Sequence, residues 1–246
     1  MFQKTTLLLL LSLFVGTQLS AQNASDAKAI EIADQVMSAM GGQQQWDETR
    51  YIAWTFFERR RLWWDKYDGH VRIESFADST IYLVNIVNGT GSVKRKGQVL
   101  EHPDSIAKYV QRGISTWIND SYWLVMPFKL RDPGVTLRYL GEEALPDGTN
   151  TDVLQLTFED VGDTPENKYK VFVDKASQLV VRWDYFAKAS DTEPRISNPW
   201  SDYKRYGKIL LSGERGRGKM GDIAVWEKLP KEVFTSFEAL PAGARR

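Results

Sequence analysis

Between Arg50 and Leu100 the chain alternates short period-two runs with tight-turn signals, an arrangement that an antiparallel meander satisfies and a helical fold does not. Ile52, Trp54 and Phe56 point one way, while their neighbours turn polar at Thr55 and charged by Arg59. A second strand spans Leu62 to Tyr67, and Asp68-Gly69 supplies the residues that favour a hairpin turn. His70 to Ser75 returns with Val71 and Ile73 on one face and Arg72 and Glu74 on the other. Tyr82 to Val87 is apolar on both faces, as a central strand would be, and Asn88-Gly89 turns it toward Ser92 to Leu100.

Helical periodicity interrupts this pattern twice. Ser25 is placed to cap a helix over Asp26 to Met40, in which Ala29, Ile32, Ala33, Val36, Met37 and Met40 recur at spacings that mostly fit one face; Gly41-Gly42 ends it. A short connection through Trp46 then leads to the first strand. Pro103 and Asp104 open a second helical segment along Ile106, Val110, Ile114, Trp117 and Ile118. Tyr122 to Phe128, apolar and broken by Pro127, reads as a buried connection rather than a regular strand.

Strands resume at Val135 to Leu140, Thr151 to Glu159, Lys168 to Asp174 and Leu179 to Phe186. Alternation puts Leu154, Leu156 and Phe158 on one face, and Leu179, Val181, Trp183 and Tyr185 on another. Ser190 to Pro199 reads as a polar loop, with further strands at Ser201 to Tyr206, Lys208 to Ser212 and Ile223 to Lys228. The expected fold class is α+β, mainly antiparallel β: a curved antiparallel sheet of about 10–11 strands with helices packed on its concave face, which the resemblance given below makes an unclosed β-barrel.

The N-terminus carries an address. Lys4 precedes Leu7 to Val15, where Ser12 is the one polar side chain, and small and polar residues follow to Ala21. These are the parts of a cleavable secretory signal peptide, too short in its apolar core for the roughly 20 residues that span a bilayer. Residues 1–21 are expected to be removed, leaving 22–240 as a single domain and 241–246, from Pro241, as a disordered tail. The mature chain is expected to be soluble, periplasmic or extracellular, monomeric and without a transmembrane segment. With no cysteine anywhere, it has neither disulfides nor the residue that carries a lipoprotein's acyl chains. Its stability must therefore come from burying apolar surface, for which 9 Trp, 10 Tyr and 11 Phe are available. Lys plus Arg and Asp plus Glu balance at 32 each, so nothing in the charge favours nucleic acid as a partner.

No catalytic residues stand out, and neither a metal nor a cofactor is expected. His70 and His102 have no second histidine or cysteine at metal-ligand spacing, and nucleophile elbows and phosphate loops are missing from the sequence. Asp160, Asp163 and Glu166 share a loop that reads as a solvated connection, against the alternatives of a glycosidase pair or an oxygen-rich calcium loop. Arg59-Arg60-Arg61 and Lys94-Arg95-Lys96 read as solvated strand faces. Arg215 to Lys219, interleaved with glycine, reads as a mobile basic loop able to touch an anionic lipid headgroup.

Taken with the order of strands and helices, several segments resemble the outer-membrane lipoprotein carrier and receptor superfamily, the LolA/LolB-like fold. They are Gly41-Gly42 after the first helix, Trp64-Asp65-Lys66-Tyr67-Asp68-Gly69, Asn119-Asp120-Ser121-Tyr122-Trp123, Met126-Pro127-Phe128, Leu156-Thr157-Phe158-Glu159, Val171-Phe172-Val173-Asp174-Lys175, and Ser201-Asp202-Tyr203-Lys204 before Gly207. The resemblance covers most of the mature chain and implies an unclosed barrel around an apolar cavity that holds a lipid or a lipoprotein acyl chain. The lining expected here is Trp54, Phe56, Leu62, Trp64, Tyr82, Val84, Leu156, Phe158, Val181 and Trp183, which an ordinary packed core would also use. Two other readings stay open: a carbohydrate-binding module or glycan-acting enzyme using exposed Trp and carboxylates, and a structural envelope protein.

Overall fold

The computed structural model describes residues 25–159 and 164–244. The leader with its cut after Ala21, the loop residues Asp160 and Asp163, and Arg245 and Arg246 of the tail lie outside them.

The meander is present. Strands β1 (Tyr51–Phe56), β2 (Arg60–Asp65), β3 (His70–Ser75), β4 (Thr80–Asn85), β5 (Thr90–Arg95) and β6 (Gln98–Val99) pair in sequence order, each antiparallel to the last. The three loops of residues 66–69, 76–79 and 86–89 each end on a left-handed residue, Gly69 (φ 70), Ser79 (φ 49) and Gly89 (φ 70). Glycine announces two of them in the sequence; Ser79 gives no such signal. At Gly69 a Cβ would also sit 2.5 Å from Val87 Cγ2, so that loop needs glycine for space as well as for φ.

A second, five-stranded sheet runs β11-β10-β9-β8-β7, built from β7 (Val135–Ala144), β8 (Asn150–Phe158), β9 (Lys168–Asp174), β10 (Val180–Phe186) and β11 (Ile196–Pro199). Next, β12 (Ser201–Tyr206) and β13 (Ile209–Glu214) pair with each other, and β14 (Met220–Trp226) returns to the first sheet beside β1. The fold is thus mainly antiparallel β in unclosed sheets with helices packed on them, as expected. The 14 strands among the described residues exceed the expected number. One extra strand, β11, falls in the supposed polar loop: main-chain pairing with β10 needs no apolar side chains, and its Pro199 sits on the sheet edge, where a missing N–H is tolerated.

Helix α1 (Ala27–Ala39) buries Ala29, Ile32, Ala33 and Val36. Asp26, not Ser25, holds the N-cap position, and its side chain makes no capping bond. Instead the Leu137 N–H donates to Ser25 Oγ, and the Asp26 carboxylate accepts from the Tyr139 N–H and Arg138 Nη1, which pins the helix start to β7. Trp46 lies in a short helix, α2 (Gln43–Glu48), not in a connection, and its ring stacks on Phe128 at 4.3 Å between centroids. Helix α3 runs from Pro103 to Val125 and passes into a 3-10 turn over Met126–Lys129. The supposed irregular connection from Tyr122 is therefore helical, because Pro127 falls early in the 3-10 turn, where its missing N–H costs nothing. Burying a side chain such as Leu124 against the sheets contributes about 1.5–3 kcal/mol.

The C-terminal segment folds back over the other face of the first sheet. After α4 (Glu232–Thr235), residues Ala242–Ala244 form a 3-10 turn, and Ala244 is fully buried. Pro241 to Ala244 were expected to be disordered on composition; here they pack against Trp63, a partner that sits far away in sequence and so left no local trace.

Candidate functional site

Alternation on β1 to β4 gives the first sheet two distinct faces. Toward the inside, cross-strand register aligns Trp54 with Leu62, Leu62 with Ile73 and Ile73 with Tyr82; a second row aligns Ile52, Trp64, Val71 and Val84. Tyr51, Ala53 and Trp63 face outward in a separate cluster with Val233, Phe234, Leu240 and Ala244. From the second sheet, Leu156 and Trp183 join the inner cluster, with Phe158 packed at its margin.

Nine of the ten expected lining residues thus share one interior. Val181 does not join them. A register shift between Val180 and Arg182 in the pairing of β10 with β9 breaks the alternation, so Val180 takes the buried place.

The inner face is filled rather than empty. Helix α3 lies across it: Gly113 approaches so closely that a Cβ would stand 3.1 Å from Tyr82 Cδ1 and 3.2 Å from Val84 Cγ1. Its aromatics join the two sheets, with Trp117 5.1 Å from Trp64, Trp123 6.3 Å from Phe56 and 4.7 Å from Trp183, and Tyr122 6.4 Å from Phe158. Tyr169 stacks on Trp183 at 5.0 Å, and Trp200 meets it edge-on at 5.7 Å. The expected lining leaves out Tyr122, Trp123, Tyr169 and Trp200, although Tyr122 and Trp123 read as part of a buried connection. Helical spacing continued four residues beyond Ile118 would have found Tyr122.

Helix α3 is also held by charge. Arg60 grips the fully buried Asp120 with two bonds, Nη2 to Oδ1 at 2.7 Å and Nε to Oδ2. Burial pushes the Asp120 carboxyl above its ordinary range, and Arg60 opposes the shift. Arg61 is largely covered too and pairs with Asp222 at 3.2 Å, so of the triplet Arg59 alone is exposed, as its composition suggested, and Arg60 and Arg61 are not.

The tryptophans differ in how their indole N–H groups are satisfied. The indole nitrogens of Trp54, Trp64, Trp117, Trp183 and Trp200 are buried without a hydrogen-bond partner. Behind the sheet, Trp63 Nε1 donates to the Ala244 carbonyl at 2.9 Å and Trp226 Nε1 to the Gly243 carbonyl at 3.1 Å.

Two open clefts mark the surface, and none of the ten residues lines either. One, of about 510 Å³, lies between the β1–β2 turn, the end of α3 and the β13–β14 loop; the other runs along α1. At the floor of the first is Arg215, 1% exposed. It is not part of a mobile loop: its guanidinium donates to the carbonyls of Trp123, Ser212 and Glu214 and to Ser212 Oγ, and stacks 3.5 Å over the Trp200 ring. Burial pulls its pKa down to about 9.

His102 is exposed at the start of α3, and His70 begins β3 beside Phe234. Among the described residues no three His, Asp or Glu side chains come together as metal ligands would. No described helix is long and apolar enough to cross a membrane.

No family model matches the chain, and neither does any curated protein. Its neighbours among solved structures include a LolA superfamily protein. A LolA superfamily protein from Nitrosomonas europaea aligns over 85% of this chain and 97% of its own at 12% identity and a TM-score of 0.41. An outer-membrane lipoprotein-sorting protein domain from Vibrio parahaemolyticus aligns over 84% and 96%, also at 12% and 0.41. A DUF1329 family protein from Desulfovibrio piger aligns over 89% and 99%, at 14% and 0.44. At such scores the description of the fold rests on this chain's own sheets.

Proposed function

We propose that this chain is an exported binding protein, not an enzyme, that takes an apolar acyl chain of a lipid or lipoprotein against the inner face of its unclosed sheets. The carrying observation is the set of five buried indole N–H groups without partners. Each costs about 1–3 kcal/mol if nothing accepts from it, and a finished structural core would not normally retain five. An acyl ester presents what that interior lacks, an apolar chain with carbonyl acceptors at one end.

In this reading the structure is the closed form. Movement of α3, with release of the Arg60 grip on Asp120, opens room between the sheets. Of the alternatives, carbohydrate binding needs a tryptophan platform in solvent, and none of the nine is among the exposed large apolar side chains.

Native mass spectrometry of the full chain, expressed in an exporting host, tests the proposal. A co-purifying lipid is expected, together with an N-terminus at Gln22. A lipid-free protein whose tryptophan emission ignores added fatty acid, and in which Trp183→Ala alters stability alone, would overturn it.

A further inference from the structure

We infer that the cleft between the β1–β2 turn and the β13–β14 loop holds a net-anionic phosphate headgroup. The inference rests on the acyl-chain reading above and names the other end of the same ligand.

Three exposed cations, Arg59, Arg217 and Lys219, surround the cleft, and none is paired with a carboxylate among the described residues. Beneath them Arg215 keeps a buried charge whose donors all go to neutral oxygens, so its field is not cancelled by an ion pair. Burying a charge without an ion pair is costly, Glu214 offsets only part of that cost, and an incoming anion would offset more. The opposing carboxylates are Glu58, exposed, and Glu214, whose Oε1 is already occupied by the backbone N–H groups of Arg215 and Gly216 at 3.0 Å each. Four cations against two carboxylates leave the cleft net positive.

Its position suits an amphiphile. Phe57 and Trp123 form one wall, 5.2 Å apart, and Trp123 continues inward to Trp183 at 4.7 Å. A headgroup at the rim would leave its chain at the start of the aromatic interior. The β1–β2 turn that presents Phe57 is strained: Phe57 (φ 47) and Glu58 (φ 56) both occupy the left-handed region with neither glycine nor asparagine. Strain of this kind is retained where the placement of a side chain matters. Gly218 makes room for it, since a Cβ there would stand 2.4 Å from the Phe57 ring. On the neighbouring loop Phe76 is 51% exposed, and its N–H donates to the Arg59 carbonyl, which sets an apolar side chain beside the cations as a lipid surface would require.

The test titrates the mature chain with dihexanoyl-phosphatidylglycerol, dihexanoyl-phosphatidylcholine and inorganic phosphate, followed by tryptophan emission below the micellar range. A triple variant, Arg59→Gln with Arg217→Gln and Lys219→Gln, changes only exposed side chains, and its melting temperature is checked first. The wild type should prefer the anionic lipid on the order of tenfold, a preference that salt weakens and the variant loses while still binding the zwitterionic lipid. Equal binding of both lipids, or an unchanged preference in the variant, overturns the headgroup site and leaves the chain reading standing. Inorganic phosphate binding as tightly as the anionic lipid, and lost in the variant, upholds the anion site and overturns the chain reading. Failure of all three probes overturns both.

Discussion

Trp63 and Trp64 are neighbours on β2, yet their indoles meet opposite surroundings. Trp63 faces outward, under the C-terminal segment, and bonds to the Ala244 carbonyl; Trp64 faces inward, against Trp117 and Trp46, and bonds to nothing. The outer cluster is small, and both of its indoles are hydrogen-bonded. Arg72, almost wholly buried, spends its guanidinium there on the carbonyls of Val233, Ser236 and Glu238. The inner cluster is large and leaves five indole donors unused.

Removing the cover is the strongest way to break this contrast. A chain ending at Pro230 bares Trp63 and leaves the Arg72 guanidinium without its carbonyls, and it should lose at least about 3 kcal/mol in denaturant unfolding. A truncated chain that melts within a few degrees of the intact one would mean the outer face is not a finished core. Next in size is Asp120→Ala, which strips the partner from a buried pair and should cost about 2–4 kcal/mol while loosening α3, read as faster amide exchange along the helix. The milder Asp120→Asn tests the charge. Since the folded carboxyl has its pKa raised above 3.8, the wild type loses stability as pH climbs from there through the raised value, and Asp120→Asn should lack that fall.

The sharpest comparison is the pair Trp63→Phe and Trp64→Phe. Both shrink a ring, but only the first gives up a hydrogen bond and strands a carbonyl, so it should cost about 1–2 kcal/mol more. Equal costs would show that the inner indole has a partner in solution. The smallest effect belongs to Asp26, whose carboxyl is held below 3.8 by the Tyr139 N–H and then by Arg138. The stability it lends is present above 3.8 and lost as pH falls through the depressed value. Asp26→Asn should therefore flatten the acid limb by lowering the melting temperature at neutral pH, by about a degree, while matching the wild type at low pH.

Where side chains of one strand or helix report on their own surroundings, the sequence was legible. Alternation through Ile52, Trp54, Phe56, Leu62 and Trp64 placed the inner face, and the spacing of Ile32, Val36 and Met40 placed α1. Failures fell where a remote partner decides. Val181 exchanged roles with Val180 because a register shift in β10 is a property of two strands, not one. Pro241 to Ala244 looked free because Trp63 holds them from 181 residues away. Arg215 looked solvated because composition cannot reveal that Trp200 lies under it and carbonyls around it.

Local chemistry alone therefore determined that this chain makes an antiparallel meander with two helical excursions and an aromatic core free of disulfides, since turn residues and period need no knowledge of distant segments. Only the tertiary structure decided which tryptophans are satisfied, which arginine is buried, and that α3 fills the space between the sheets. Those outcomes depend on which carbonyls and rings arrive from elsewhere in the chain, and that is fixed when the sheets and helices pack.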